Sequence, residues 1–392
     1  MISVIETALN SINVSQWDEM NVDNQPFLKF AFLNGLEVSG CISAKNGWEP
    51  QHIVIYRDEN KSELLAAIPC YLKNHSYGEY IFDWAWADGY QRAGRAYYPK
   101  LSCAIPFTPA TTPIWLIKAG EDKETIISML LKTLKDHAIK LRVSSIHALF
   151  TNIETNQYLE KYDFIQRSSS QFHWLNQSKN NSSPYSSFDH FLADFNSRKR
   201  KNIKRERRRV SEQGIHYRWY TGANLTVSIA TLAFGFYLST IYRYGAQQYL
   251  NMEFFKHFMQ KMPDSTHILI AYLEDKPVAG GLYFASNSTL YGRYWGATVE
   301  IQDLHFETCY YQPIEYAIKN QLQRFEAGAQ GEHKLARGLL PTTTYSMHWL
   351  ADEDFREAVL NFTKTEAQHI EKYNNVMGQH GPFKQFVGKA EI

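Results

Sequence analysis

Two stretches of the chain repeat one order of elements, and that order restricts the fold more than any other feature. In the earlier stretch an apolar run, His52 to Arg57, precedes a polar turn, Asp58 to Glu63, and a second run, Leu64 to Leu72. The aromatic segment Tyr80 to Trp86 comes next. In the later stretch His267 to Leu273, the turn Glu274-Asp275-Lys276-Pro277, Val278 to Phe284 and the aromatic segment Leu290 to Trp295 follow in the same order. Short apolar runs bounded by turn residues read as a hairpin, and the aromatic segment as a third strand. Each half then continues through a helix-patterned segment (Asp122 to Leu141; His305 to Gln323) to a short strand (Ser145 to Leu149; Arg324 to Gly328). The first half adds a helix near Asn152 to Tyr162 and strands at Phe164 to Arg167 and Gln171 to Trp174. The expectation is a mixed α/β unit present twice. The polar segment 176–187 reads as a linker, with a first domain over 1–175 and a second over 188–392 that carries a basic helix at 198–213 and a C-terminal helix.

A chain of 392 residues with 44% hydrophobic content buries large cores. Cys41, Cys70, Cys103 and Cys309 are scattered without a CxxC pair, which excludes a disulfide framework and a thiolate zinc site and fits a reducing cytoplasm. The first residues lack a basic segment followed by an apolar run, and no charge-free stretch reaches membrane-spanning length. The expectation is a cytoplasmic protein that is not integral to a membrane, with peripheral contact left open.

Net charge is +1, but nine of the twelve residues from Arg198 to Arg209 are Lys or Arg and one is Glu, a local balance of 9 − 1 = +8 that leaves about −7 elsewhere. With Ser197 as N-cap and Gly214 as stop, this reads as a helix with only Ile203 and Val210 to bury. Arg198, Lys199, Arg200, Lys201, Lys204, Arg205 and Arg208 are the candidate polyanion contacts, for tRNA phosphates, anionic headgroups or a phosphorylated precursor. The alternative is a solvated helix that keeps the protein soluble.

Glu326 to Pro341 shows no period and combines Gly328, Gly331 and Gly338 with Glu326, Glu332, His333, Lys334 and Arg337. Glycines expose backbone N–H groups, and the ionisable set offers a base, an acid and cationic stabilisers. The competing reading is a glycine-rich surface loop. His305, Cys309 and Gln312 would share a helix face at i, i+4, i+7 spacing, and His305 is a candidate base or orienting group. No metal-ligand signature is present, so no metal is expected. Asp83 between aromatics is a candidate desolvated acid or a holder of an Arg or amide, and Arg293 and Tyr294 occupy the matching step of the second half. Neither Gly-x-Ser-x-Gly nor a cysteine with an obvious histidine partner occurs, which fits direct transfer.

The order of elements, with the phrase Leu159 to Phe164 before a late strand, resembles the GNAT acyltransferase fold, and two such units resemble the Fem-type aminoacyl transferases. Gly78 to Trp84, Tyr97 to Leu101, Pro106 to Pro109, Ser197 to Lys201, Tyr291 to Gly296, Leu304 to Glu307 and Gly328 to Lys334 resemble the FemAB-like family of N-acyltransferases. The resemblance implies two tandem GNAT-like mixed-sheet domains and transfer of an aminoacyl or acyl group to an amine on a peptide, precursor or small metabolite. Gln91 to Ala96 matches the pyrophosphate turn of GNAT enzymes by letter, but Tyr97, Tyr98 and Pro99 follow instead of a helix. The donor expected is therefore aminoacyl-tRNA, with a coenzyme A thioester as rival and no tightly bound cofactor. The second unit is expected to hold the chemistry. Glu326 or Glu332 would be the base, His333, His305 and Tyr294 further catalytic groups, and Asp83, Trp84, Arg293, Gln330, Lys334 and Arg337 substrate contacts. A non-catalytic protein recognising a cell-wall or nucleic-acid ligand is the reading of a different class.

Overall fold

The computed structural model describes residues 1–329 and 331–384. Their strands, in chain order, are β1 (Ile2–Glu6), β2 (Trp48–Pro50), β3 (His52–Tyr56), β4 (Leu64–Ile68), β5 (Tyr71–Lys73), β6 (Lys100–Cys103), β7 (Leu116–Ile117), β8 (Ser145–Thr151), β9 (Ile165–Leu175), β10 (Ile215–Tyr220), β11 (Thr266–Leu273), β12 (Lys276–Ala285), β13 (Thr289–Ala297), β14 (Arg324–Glu326) and β15 (Leu340–Leu350). The chain forms two compact units, one from 1–169, 249–254 and 343–372, the other from 170–248, 255–342 and the residues from 373 on.

In the first unit β2, β5 and β6 are antiparallel neighbours, β6 and β8 run parallel with Leu101 opposite Ile146, and β15 pairs antiparallel with β8. A smaller sheet of β1, β3, β4 and β7 lies beside it in the same unit. The expected hairpin is present and bent: Ile53 pairs with Ile68 in the small sheet, Trp48 with Lys73 in the large one, and Gln51 N–H donates to Cys70 O at the bend. The helix Lys123–Leu141 buries Ile126, Ile127, Leu130, Leu131, Leu134 and Ala138, a three-and-four spacing that gives one apolar face. These side chains join Ile53, Leu65, Leu101, Ile146 and Met347 in the core.

The second unit repeats the pattern. Strands β11, β12 and β13 are antiparallel neighbours, β14 runs parallel to β13, and β9 closes antiparallel to β14. The closing strand of each unit comes from the other half of the sequence: the end of β9 completes the second sheet and the end of β15 the first. The helix Val227–Tyr244 lies directly on the strand backbone, because a Cβ on Gly296 would sit 1.8 Å from Phe236 O and one on Gly280 2.6 Å from the Phe236 ring. Thr240 Oγ1 donates to Trp295 O over 2.6 Å in the same contact.

Several expectations need correction. Tyr80 to Trp86 is not a strand: Tyr80 has φ +60°, and Trp84–Arg92 is a helix that buries Trp86 and Tyr90 at i, i+4. The third strand of the first unit is β6, and Asp83 precedes a helix. Residues 176–187 are not a free linker, since Ser178, Lys179 N–H and Tyr185 all donate to Asp194, and Asn176 bonds Leu322 O. Residues 249–254 and 343–372 lie in the first unit and not in a single domain over 188–392. The late strands at 164–167 and 171–174 are one, β9. The basic helix is Ser197–Glu212, and its cap is Asn196, whose side chain accepts from Lys199 N–H. The C-terminal helix is Glu353–Gln379.

Candidate functional site

Strands β13 and β14 pair only from Thr289 opposite Arg324 to Tyr291 opposite Glu326, although β13 runs on to Ala297. Beyond that point the sheet opens. On its other edge β13 pairs Leu282 with Tyr294 and Tyr283 with Gly292, so Arg293 is the extra residue of a β-bulge, a device that re-aims side chains. The chain then enters Leu304–Phe306, a π turn at Glu307–Tyr311 and the helix Gln312–Lys319. The π turn overrides the expected face of His305, Cys309 and Gln312: Gln312 Nε2 instead donates to Glu307, five residues back, over 2.8 Å.

At the opening, the short helix Glu332–Arg337 places His333, Lys334 and Arg337 against this turn. Tyr310 OH and His333 Nε2 are 2.8 Å apart. The His305 ring lies 4.5 Å from Trp295 and 5.7 Å from His333, centroid to centroid. Lys334 is 2% exposed and donates to Gly328 O over 2.8 Å. Burial pushes its pKa down to about 8. His305 is pushed down to about 4 by burial and by the neighbouring His333, Arg337 and Lys334, while His333 is lowered by burial and by Arg337 and Lys334. Both imidazoles are therefore neutral at pH 7. Arg337 lies 3.3 Å over the Phe306 ring and pairs with Glu206 of the basic helix at 3.1 Å. Burial raises the Cys309 thiol far above its ordinary value, so it keeps its proton.

The structure thus brings together His305, His333, Lys334 and Arg337. It does not bring in Glu332, which is exposed and accepts from Tyr373 OH at 2.9 Å. Glu326, on β14, is 2% exposed with Arg324 Nε 3.2 Å away. Tyr294 packs edge-on to Tyr237 at 4.8 Å, and the Arg293 guanidinium lies 5.2 Å from the Tyr294 ring. Gln330 lies outside the described residues. Tyr310 and Glu206 went unread as partners of His333 and Arg337; their side chains meet across 23 and 131 residues of sequence, with no local signal.

Asp83 belongs to a different constellation, in the first unit. Lys100 is fully buried and donates to Glu79 at 2.7 Å, Ser76 at 2.9 Å and Asp83. Asp83 also accepts from Tyr97, whose hydroxyl is 3.3 Å from His147 Nε2, and His147 and His348 join through their Nδ1 atoms at 2.7 Å. Burial would raise Asp83, but Lys100 and then His147 hold it well below the usual carboxylate range. Lys100 is held above its ordinary value by Glu79 and Asp83 against the opposing effect of burial. Glu79 Oε1 and Asp83 Oδ1 are shielded from solvent without a partner. Trp84, by contrast, is exposed and its ring lies 4.7 Å from that of Phe82. At the corresponding point of this unit, beyond Cys103 opposite Ala148, Ile81, Ala104, Leu149 and Phe150 form an apolar cluster. The sequence signal for Lys100 was the pair of acids just upstream, which need a cation if buried.

The basic helix is divided by its packing. Arg207 pairs with Glu307 and Glu315, and Arg209 with Asp303. Arg198, Lys201, Lys204, Arg205 and Arg208 are exposed and share one stripe, while Lys199 and Arg200 are half-buried. Among the described residues Arg198, Lys199, Arg200, Lys201 and Arg205 make no ion pair; Lys204 meets Asp189 at 3.2 Å and Arg208 meets Glu212 at 3.5 Å, both at the surface.

In each unit a run of antiparallel strands, β2-β5-β6 in the first and β10-β11-β12-β13 in the second, is followed by one parallel step and an antiparallel closing strand, and this repeated order defines a tandem GNAT-like fold. The FemAB-like profile, described as peptidoglycan biosynthesis/recognition, matches residues 8–385. The chain belongs to the FemAB-like family. Its fold is similar to the C-terminal DUF2156 domain of a protein described as a lysylphosphatidylglycerol synthetase from Agrobacterium fabrum, at 8% identity and TM-score 0.51 over 89% of this chain and 95% of that one. It is also similar to FemX, at 10% identity and TM-score 0.50 over 92% of this chain and all (100%) of that one. No curated protein matches the sequence significantly. No described helix is long and apolar enough to cross a membrane.

Proposed function

We propose that this protein is a cytoplasmic N-acyltransferase that moves an aminoacyl or acyl group from an activated donor to an amine of a peptide or precursor, without a covalent enzyme intermediate. The observation that carries the reading is the polar opening between β13 and β14, where Lys334 and the His333–Tyr310 pair meet. The apolar cluster at the equivalent point of the first unit supports chemistry in the second. Membership of a family described by peptidoglycan biosynthesis/recognition supports a peptide or precursor acceptor.

In this mechanism the neutral amine attacks the acyl carbon, forming the C–N bond. His333, neutral and held by Tyr310, accepts the amine proton, in place of either glutamate. The protonated Lys334 stabilises the tetrahedral oxyanion. Collapse breaks the donor C–O or C–S bond, and the proton passes from His333 to the leaving oxygen or sulfur. The protonated Cys309 thiol supports direct transfer. The donor's phosphates lie on the exposed stripe of the basic helix.

The test is turnover of aminoacyl-tRNA or coenzyme A thioesters with peptide amines, followed by mass spectrometry. His333→Gln is expected to lower kcat by about 10²- to 10⁴-fold with little change in KM. The pH–rate profile falls on the acid side, as His333 gains a proton, and again above about 8, as Lys334 loses one. Lys334→Arg keeps the cation and removes the alkaline limb. Wild-type rates in His333→Gln and in Lys334→Met would refute the assignment.

A further inference from the structure

The basic helix borders two concavities of the second unit. One, of about 730 Å³, is lined by the exposed cationic stripe, including Arg198, Lys201, Asn202 and Arg205. The other, of about 550 Å³, lies against the helix Phe188–Ala193, β10 and the π turn. Lys204 and Arg208 line both, so the two form one groove.

Its halves differ in chemistry. The stripe from Arg198 to Arg208 spans about 15 Å at 1.5 Å per residue, long enough for successive phosphates of one ligand. The smaller cavity has apolar walls from Phe188, Leu192, Ile215 and Tyr217. It also presents carboxylates: Glu307, 4% exposed, with Glu315 and Asp189 nearer the rim. Paired with Arg207 and Lys204, these acids bring the cavity wall close to charge balance, unlike the cationic stripe, and keep lone pairs that accept from N–H donors. Arg207, fixed by Glu307 and Glu315, is held 4.4 Å over the Phe188 ring, so a planar cation and an aromatic line the wall together. A neutral heteroaromatic ring with exocyclic N–H groups suits this cavity, and a phosphate does not.

We propose that the groove binds a nucleotide in one orientation, with its phosphates along Arg198, Lys201, Lys204 and Arg205 and its base in the cavity beside Phe188, Tyr217 and Gln312. This deepens the proposed function, for both donor candidates carry a nucleotide; an RNA 3′ end and the adenosine phosphate part of coenzyme A share the chemistry.

Equilibrium binding tests it without turnover, so its outcome is separate from that of the catalytic assignment. The probes are a labelled eight-nucleotide single-stranded RNA, coenzyme A, inorganic pyrophosphate and vesicles of anionic phospholipid. Replacing Arg198, Lys201 and Arg205 with Gln is expected to weaken all phosphate probes at least tenfold and to reduce the log–log salt slope by about one per lost contact. Ser211, exposed and on the cavity wall, permits filling from the surface. Ser211→Trp, with unchanged melting temperature, is expected to weaken RNA or coenzyme A at least tenfold and leave pyrophosphate unaffected. Tighter RNA binding assigns the ligand to an RNA end, and tighter coenzyme A binding to the coenzyme; either supports the groove. Equal loss of pyrophosphate in Ser211→Trp, unchanged nucleotide affinity in that variant, or binding of vesicles alone overturns it.

Discussion

Replacing Lys100 with Met removes the only cation that contacts Glu79 and Asp83 among the described residues, and it does so at side chains that are almost wholly buried. The shapes are similar, so the loss is electrostatic. Glu79 Oε1 and Asp83 Oδ1 already lack partners, and the other oxygen of Glu79 would lose its contact as well, leaving two uncompensated acids. Breaking a buried pair from one side costs about 3–5 kcal/mol. At about 2–4 °C per kcal/mol for a unit of this size, the expected fall in Tm is about 6–20 °C. Differential scanning calorimetry measures it, with Lys132→Met as control: that lysine is 78% exposed in its pair with Asp136 and its loss should shift stability by less than about 0.5 kcal/mol. The triple variant Lys100→Met, Glu79→Gln, Asp83→Asn is expected to recover much of the loss, because neutral amides remove the buried charge. A fall in Tm below 2 °C for Lys100→Met, or no recovery in the triple variant, would refute the reasoning.

Two further outcomes are expected. Gly296→Ala places a methyl group 1.8 Å from Phe236 O and must lift the helix Val227–Tyr244 from the sheet, so denaturant unfolding should show a loss at or above the upper end of about 1–3 kcal/mol, against a gain of about 0.5–1 kcal/mol for Gly235→Ala, inside that helix where a Cβ meets nothing within 4 Å. His173 is pushed down to about 3, chiefly by burial, so the unfolded state binds its proton first as the pH falls below about 6.5. Its contribution is present above that pH and is lost on acidification at up to about 1.4 kcal/mol per pH unit; His173→Gln should flatten the stability curve between pH 6.5 and 5, and an unchanged slope there rules the histidine out.

Local pattern was enough for the elements whose period and packing agree. The alternation and turn residues around β11, β12 and β13 specify those strands, the three-and-four spacing from Ile126 to Ala138 specifies a helix, and the charge run from Arg198 to Arg209 leaves only Ile203 and Val210 to bury. Glu326 to Arg337 was legible as a polar cluster because its glycines and charges suit no regular element. Which of its members meet was not. His333 points to Tyr310 and Glu332 to Tyr373 because of the path taken between β14 and β15, and neighbours in sequence diverge on that path. Tyr80 to Trp86 misled because a short aromatic run has no distinguishable period; its end, from Trp84, belongs to a helix that buries Trp86 and Tyr90 four residues apart, and Tyr80 takes a left-handed φ. The exchange of closing strands and the pairing of Lys100 with Glu79 and Asp83 belong to the tertiary structure alone. A strand's composition says that it needs an edge but not which edge, and a lysine becomes a buried counter-ion only when the chain has folded two acids around it.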